Sequence, residues 1–126
     1  MSIVTTCAAE APRFQLPGLE FTGLASPSRG SADLCTWRLT LEPGLSSPEP
    51  HTLDRDEVFM VVRGAIRLGP GADVVGAGDV AVVPSGHPIQ VANAGDGEAE
   101  VVVAIAAGFT AYGADGSVIG TPPWAL

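Results

Sequence analysis

The residues whose side chains could carry out chemistry are concentrated in two stretches of the chain. The first segment, residues 44–64, contains His51 and Glu57, six positions apart and followed by an apolar run. The second segment, residues 78–93, contains His87 and Asn93. Imidazole and carboxylate groups bind divalent transition metals, and they also act as general acids and bases. A site in this protein is therefore expected in these two segments.

Each of these residues also has a purely structural interpretation. His51 could be a solvated loop residue, and His87 could lie in a turn. Glu57 could begin a strand and pair with a nearby arginine. Asn93 could cap a turn, because asparagine side chains often bond to their own backbone there.

Short strands must position these residues. Residues 34–41 alternate between apolar and polar side chains, which is the pattern of a half-buried strand. With 16 Gly, 11 Pro and no sustained helical period, the chain is predicted to be an all-β sandwich or barrel. Further strands are predicted at residues 19–24, 57–62, 65–68, 74–75, 80–83, 89–92 and 100–106, and a late hairpin at Asp115-Gly116.

Composition limits the class of protein and its partners. The 126 residues are predicted to form one domain at 19–126, preceded by an arm or poorly ordered leader at 1–18. A net charge of −8 without any lysine makes nucleic acid and anionic membrane surfaces poor partners. With no secretory signal and no apolar run of the ~20 residues that span a bilayer, a cytoplasmic location is expected. Cys7 and Cys35 are accordingly expected to be free thiols.

The two segments together resemble the motifs of the cupin superfamily, including small bacterial cupins of unassigned function. The resemblance covers residues 34–106 and implies a double-stranded β-helix, which is a small antiparallel jelly-roll barrel. The two motif strands of such a barrel line one end of its interior. The matching positions are Gly44, His51, Glu57 and Gly64 in the first motif, and Gly78, Pro84, Gly86 and Asn93 in the second.

The chain departs from the family at two metal-ligand positions. A typical cupin site uses three histidines and one glutamate, but Leu53 and Ile89 stand where two of those histidines are expected. His87 lies two residues before Ile89 and, in an extended segment, would face the same way. The resemblance implies His51 and Glu57 as ligands, and the extended geometry adds His87 as a substitute third ligand. This set would leave open positions suited to Fe, Mn, Ni or Zn.

A metal-free pocket would have its own chemistry. Glu57 would face apolar neighbours, so its pKa should rise unless a partner offsets the desolvation. His51 could be that partner, and the pair could then act as a general acid–base unit. The resemblance supports this option, because some cupin epimerases work without metal through a His–carboxylate pair. The predicted pocket residues are Trp37, Leu53, Phe59, Ile89, Val91 and Asn93, and Trp124 is expected to close an opening.

Three functions are compatible with these residues, and all need a small-molecule ligand. The first is a metal-dependent oxygenase or isomerase that uses His51 and Glu57. The second is a metal-free acid–base enzyme of the epimerase or isomerase kind. The third is a ligand-binding or sensing module without catalysis. A homodimer is also expected, because residues 58–62 and 101–105 are apolar on both faces and a second subunit could cover the outer one.

Overall fold

The computed structural model describes residues 2–126 and confirms the all-β prediction. None of the described helical turns is long and apolar enough to cross a membrane. The described residues form twelve strands and two short 3-10 turns. The strands are β1 (Arg13–Leu16), β2 (Leu19–Ala25), β3 (Leu34–Leu41), β4 (Thr52–Leu53), β5 (Glu57–Arg63), β6 (Ala65–Arg67), β7 (Val75–Gly76), β8 (Val80–Val83), β9 (Ala92–Asn93), β10 (Ala99–Ala106), β11 (Ala111–Tyr112) and β12 (Val118–Gly120), and the 3-10 turns are Pro27–Arg29 and Pro123–Ala125.

The largest sheet contains six antiparallel strands in the order β1-β2-β3-β10-β5-β8. In β3 every second side chain is buried, which confirms the period-two prediction for residues 34–41. The strand register places Trp37 opposite Val103, and Val103 opposite Phe59. Because residues opposite each other share a face of the sheet, these three side chains form one continuous apolar surface.

Two three-stranded sheets, β12-β11-β4 and β7-β6-β9, accompany the large one. His51 and Ile89 form an isolated antiparallel bridge, with N–H to carbonyl distances of 3.0 and 2.8 Å. The Gly86 N–H also donates to the Leu53 carbonyl at 2.8 Å. Backbone hydrogen bonds therefore join the first segment directly to the second, and the two enclose space on one side of the large sheet.

Two turns need glycine for identifiable reasons. Gly64 has a φ of +77°, and a Cβ there would lie 3.0 Å from the Cα of Ala99 on β10. A side chain at this position would therefore push β5 and β10 apart. Gly116 has a φ of +83° in the connection between β11 and β12, where the Ser117 N–H donates to Asp115 Oδ1 at 3.0 Å. The predicted hairpin at Asp115-Gly116 is confirmed.

The interpretation of residues 1–18 as an arm or poorly ordered leader requires a correction. Within this stretch β1 pairs with β2 along its whole length, from Arg13 opposite Thr22 to Leu16 opposite Leu19. Phe14 packs against the core, with its ring centre 6.2 Å from that of Trp124. The sequence prediction missed this strand because four residues are too few to show a period. Met1 lies outside the described residues.

Cys7 and Cys35 are free, as predicted.

Candidate functional site

A cavity of about 320 Å³ lies between the inner face of the large sheet and the segments that carry β4 and β11. A volume of this order suits a small-molecule ligand. Around this cavity the structure brings together both His51 and Glu57. Five of the predicted pocket residues also line it: Trp37, Leu53, Phe59, Ile89 and Val91.

Glu57 is the most unusual residue in the cavity. It begins β5 and alternates with Phe59 and Val61 on the buried face, so its side chain is only 3% exposed. Its strand neighbours are the buried apolar residues Val83 and Ile105. Within the described chain its Oε1 atom has no hydrogen-bond partner. Burial raises the pKa of Glu57 to about 8, so at neutral pH its carboxyl group is mostly protonated.

His51 approaches the same cavity from the loop before β4. Its backbone is fixed by the bridge to Ile89, and its side chain is half-buried. Burial lowers the pKa of His51 below its ordinary value, because the charged imidazolium is poorly solvated there. At neutral pH the cavity therefore contains a neutral imidazole and a neutral carboxylic acid. Burial alone accounts for both shifts, so the predicted charge pairing between the two residues is not what sets their pKa values.

The two positions where the family usually has histidines both face the cavity. Leu53 is 5% exposed and Ile89 is 2% exposed, and neither side chain carries a donor atom for a metal. The neighbouring carboxylates do not replace them, because Asp54 and Asp56 are exposed. Asp54 accepts a hydrogen bond from the Thr110 N–H, and Asp56 accepts one from the Ser85 N–H. The aspartates therefore stabilise loop connections outside the cavity.

The assignment of His87 as a displaced third ligand requires a correction. Its N–H donates to the Pro84 carbonyl at 3.0 Å in a turn, and its exposed ring places Nδ1 2.9 Å from the Pro88 carbonyl. The side chain lines a different groove, next to Leu68 and Val75. The prediction assumed an extended segment in which His87 and Ile89 face the same way. It failed because the chain turns between Pro84 and Pro88.

The described residues do not fit a divalent metal centre. Residues 2–126 contain no group of three or more His, Cys, Asp or Glu side chains placed to hold a metal ion. The cavity offers only His51 and Glu57 as donors of this kind besides Glu49, which is exposed. A catalytic zinc site normally uses three protein ligands, so this donor set is incomplete.

Asn93 also requires a correction, because it does not line the cavity. Its Nδ2 donates to the carbonyls of Leu41, Glu42 and Gly97 at 2.9–3.2 Å, and its Oδ1 accepts from the Gly95 N–H at 2.9 Å. The side chain joins the end of β3 to the loop before β10. The alternative interpretation of Asn93 as a turn cap describes this role.

Several cavity residues were not predicted from the sequence. Phe109 is 1% exposed and follows Gly108 in a turn, where no period could indicate it. Phe21 was assigned only to a strand, yet it stacks on Trp124 with ring centres 3.8 Å apart. Trp124, which was expected at an opening because two prolines precede it, is a lining residue of the cavity. Its carbonyl accepts a hydrogen bond from Arg29 Nη2 at 3.1 Å.

Comparison with known proteins places the fold. A search of curated proteins finds no match to this chain. An RmlC-like cupin protein from Ralstonia eutropha JMP134 superposes with a TM-score of 0.72 at 14% identity, covering 97% of this chain and 81% of that one. KdgF from Halomonas sp. gives 0.68 at 20% identity, covering 83% and 94%. The polyketide cyclase RemF from Streptomyces resistomycificus gives 0.69 at 16% identity, covering 83% and 80%.

Identities this low compare folds rather than activities, and they confirm the predicted antiparallel jelly-roll architecture. The family model described as "Cupin domain" matches residues 37–105, which is more than half of the chain. The matched region contains His51, Glu57, Leu53 and Ile89, and therefore both of the segments that enclose the cavity. The chain belongs to the cupin family.

Proposed function

We propose that this protein is a metal-free acid–base enzyme whose small-molecule substrate binds in the cavity next to Glu57 and His51. The observation that carries the proposal is the buried carboxyl group of Glu57, which lines the cavity and whose Oε1 has no protein partner within the described chain. A buried polar atom without a partner is costly, so a substrate that bonds to it gains affinity. The jelly-roll fold is compatible with catalysis, since one structural neighbour is a polyketide cyclase.

The protonation states of the two residues define the chemistry. A protonated Glu57 can donate its proton to a carbonyl or leaving-group oxygen of the substrate. The neutral imidazole of His51 can accept a proton from carbon or from a hydroxyl group at the same time. Isomerisation, epimerisation and elimination all combine these two transfers. The acid has a raised pKa, so it remains protonated at the pH where the base is neutral.

The metal-dependent alternative is weaker because of the donor set. Fe, Mn, Ni or Zn would have only His51 and Glu57 as ligands, because Leu53 and Ile89 occupy the two positions where the family usually has histidine ligands. A two-donor site of this kind binds metal poorly compared with a site of three or four protein ligands.

The experiment that tests the proposal is a carboxyl ¹³C NMR titration combined with elemental analysis of untagged protein. We expect one carboxyl resonance to titrate with a midpoint of about 8 and to be missing from Glu57→Gln. We expect no stoichiometric metal, even after incubation with Fe, Mn, Ni and Zn. A stoichiometric metal that disappears in His51→Ala would overturn the proposal in favour of the metal enzyme.

A probe reaction separates the acid–base enzyme from a binding module. In 5-nitrobenzisoxazole a base removes the ring C–H proton while the N–O bond breaks, which gives a cyanophenolate. We expect ring opening to be accelerated near pH 7, where neutral His51 removes the proton and protonated Glu57 donates to the departing oxygen. The acceleration over the uncatalysed reaction should decline as the pH rises through about 8 and vanish in both His51→Gln and Glu57→Gln. Saturable binding of the probe without acceleration would favour the ligand-binding module instead.

We also propose that a second copy of the chain covers the outer face of β5 and β8. Met60 is 38% exposed and Val62 is 52% exposed on β5, while Val80 and Val82 are 59% and 58% exposed on the neighbouring edge strand. Aliphatic side chains on both strands form one patch, and such patches usually mark interfaces. A two-fold axis lets the same patch bind itself.

Light scattering at micromolar concentration tests the dimer. We expect twice the chain mass for the unmodified protein and a single chain mass for Met60→Glu. Val118→Glu is the control, because Val118 is 72% exposed on a different sheet and should leave the dimer intact. A monomeric mass for the unmodified chain would refute the dimer.

A further inference from the structure

We propose that the cavity selects an uncharged, planar aromatic ligand whose hydroxyl or carbonyl oxygen meets Glu57. The inference deepens the proposed function, since it names the substrate class of the same cavity and rests on that site. Three observations carry it: the charges around the cavity, the aromatic side chains in its wall, and the apolar residues at its mouth.

The charges around the cavity disfavour an anion. In the described chain none of the six arginines lines it, and the sequence contains no lysine. Five of the arginines are held elsewhere by carboxylates or backbone carbonyls: Arg13, Arg29, Arg38, Arg55 and Arg63. The acidic residues of the lining are Glu57 and the exposed Glu49. A carboxylate or phosphate ligand would lose its hydration without gaining a cation, which is unfavourable.

A cationic ligand is disfavoured for a different reason. Inside the cavity it could pair with an ionised Glu57, but the apolar neighbours of that side chain oppose ionisation. Glu49 also lines the cavity, but it is exposed, and an ion pair in water adds little affinity. A neutral hydroxyl or carbonyl group, in contrast, can form a hydrogen bond with the carboxyl group of Glu57, which lacks a full set of protein partners, without burying any charge. Uncharged ligands are therefore the class that the cavity accommodates at the lowest desolvation cost.

The wall of the cavity is aromatic. Trp37 is its centre, with the ring of Phe109 at 6.0 Å and the ring of Trp124 at 6.5 Å. The chain has seven aromatic residues, and five of them line this cavity: Phe21, Trp37, Phe59, Phe109 and Trp124. Aromatic rings pack on one another in offset or edge-to-face geometry and gain energy beyond the area they bury. A planar ring system is thus the ligand shape that this wall recognises best.

The mouth of the cavity is apolar as well. Leu16 and Ile119 both line the cavity and are 50% and 60% exposed. Exposed aliphatic side chains at the rim of a pocket can cover a ligand that extends outwards. They favour a fused or substituted ring system over a single small ring.

The test is isothermal calorimetry at pH 7 with three naphthalenes of matched shape: 2-naphthol, 2-naphthoate and protonated 2-naphthylmethylamine. We expect 2-naphthol to bind at least about tenfold more tightly than either charged analogue, because the charged groups lose hydration without a partner. Both tryptophans of the chain line the cavity, so the two indole N–H resonances should shift with 2-naphthol. Tighter binding of either charged analogue, or no saturable binding of any of the three, overturns the inference.

Two variants keep the test independent of folding defects. Ile119→Arg places a cation at the exposed mouth without burying it, and it removes the same aliphatic contact from both ligands. The ratio of 2-naphthoate to 2-naphthol affinity should therefore rise by about tenfold. Trp124→Leu should weaken 2-naphthol binding by about tenfold, whereas Tyr112→Leu, outside the cavity lining, should not. An unchanged preference in Ile119→Arg would show that the charge of the lining does not set selectivity.

The outcome remains distinguishable from that of the proposed function. Glu57→Gln keeps a neutral hydrogen-bonding group, so the preference for 2-naphthol should persist while ring opening of the benzisoxazole stops. If 2-naphthol is preferred but Glu57 titrates near its ordinary pKa, the acid–base function fails and the ligand class stands. If Glu57 titrates with a midpoint of about 8 and the charged analogues bind better, the ligand class fails alone.

Discussion

The two segments that enclose the cavity contribute to it in different ways. The first segment places the titratable side chains of His51 and Glu57 at the cavity, together with the exposed Glu49. The second segment contributes only the apolar Ile89 and Val91, while its His87 lies in an exposed turn. The backbone bridge between His51 and Ile89 is present all the same. The family architecture is thus retained on both sides, but polar chemistry remains on only one, which favours proton transfer over metal binding.

The largest expected effect concerns the buried acid of the first segment. Unfolded Glu57 ionises near its ordinary pKa of about 4.3, whereas burial raises its pKa to about 8 in the folded protein. Between these pH values the unfolded chain releases a proton that the folded chain keeps, so stability falls as pH rises. Each pKa unit corresponds to about 1.4 kcal/mol, so the loss could reach ~5 kcal/mol by pH 8.

Urea denaturation across this pH range measures the effect. Glu57→Gln should remove most of the loss, because the amide stays neutral. Asp79→Asn in the second segment is the matched control, since its carboxylate is exposed and only caps the Gly76 N–H. Stability that is independent of pH between 4.5 and 8 in the unmodified chain would break the comparison, because the first segment would then hold an ordinary carboxylate.

Restoring histidines should convert the cavity into a metal site. Leu53→His together with Ile89→His would add one donor from each segment to His51 and Glu57. We expect zinc or nickel affinity to rise by at least about a hundredfold over the unmodified chain, equivalent to about 3 kcal/mol. Metal-dependent stabilisation against thermal unfolding measures it.

The single variants Leu53→His and Ile89→His are the controls. Their metal affinities should lie between that of the unmodified chain and that of the double variant. Loss of binding on adding His51→Ala to the double variant would confirm the ligand set, whereas adding His87→Gln should change nothing. If the double variant folds but does not bind metal, then the two introduced histidines do not converge with His51 and Glu57 in the cavity. The explanation that Leu53 and Ile89 are what leaves the donor set incomplete would then be wrong.

Asn93 tests whether the second segment supports the fold rather than the site. Asn93→Ala removes three donations to carbonyls and leaves the Gly95 N–H without its acceptor, so we expect a loss of about 2 kcal/mol in stability. Gln90→Ala removes only the bond to the Ser47 carbonyl and should cost less. Chemical denaturation measures both, and 2-naphthol affinity should be unchanged in each. If Asn93→Ala folds but binds 2-naphthol more weakly, then Asn93 contributes to the ligand site as well as to the fold.

Much of the fold could be predicted because strand periodicity is local. The alternation in β3 depends on neighbouring residues only, and the turn at Gly116 is a short-range signal. Periodicity alone could not choose the inner face of β5, because residues 58–62 are apolar on both faces; the interior position of Glu57 was expected from the resemblance to the family motif. The structure places Glu57 on the buried face. Periodicity failed for β1, whose four residues become a strand only by pairing with β2.

The site was less predictable, because side-chain direction outside strands depends on the course of the backbone. The prediction for His87 assumed an extended segment, but the hydrogen bond from its N–H to the Pro84 carbonyl turns the chain. Phe109 and Phe21 reach the cavity through tertiary packing, which no sequence period records. The raised pKa of Glu57 was predicted in direction from its apolar neighbours, whereas pairing with His51 was not needed to explain it.

The smallest expected effect compares the only two histidines of the chain. Burial lowers the pKa of His51, so below about pH 6.5 the unfolded chain binds a proton that the folded imidazole resists, and stability falls as pH decreases. This slope is opposite in sign to that of Glu57 and smaller, because His51 is only half-buried. In the Glu57→Gln background it should be visible as a loss of stability on the acid side, which adding His51→Gln removes and adding His87→Gln does not. Equal effects of the two histidine substitutions would mean that the first segment shields its histidine no better than the second, and the neutral acid–base pair would lose its base.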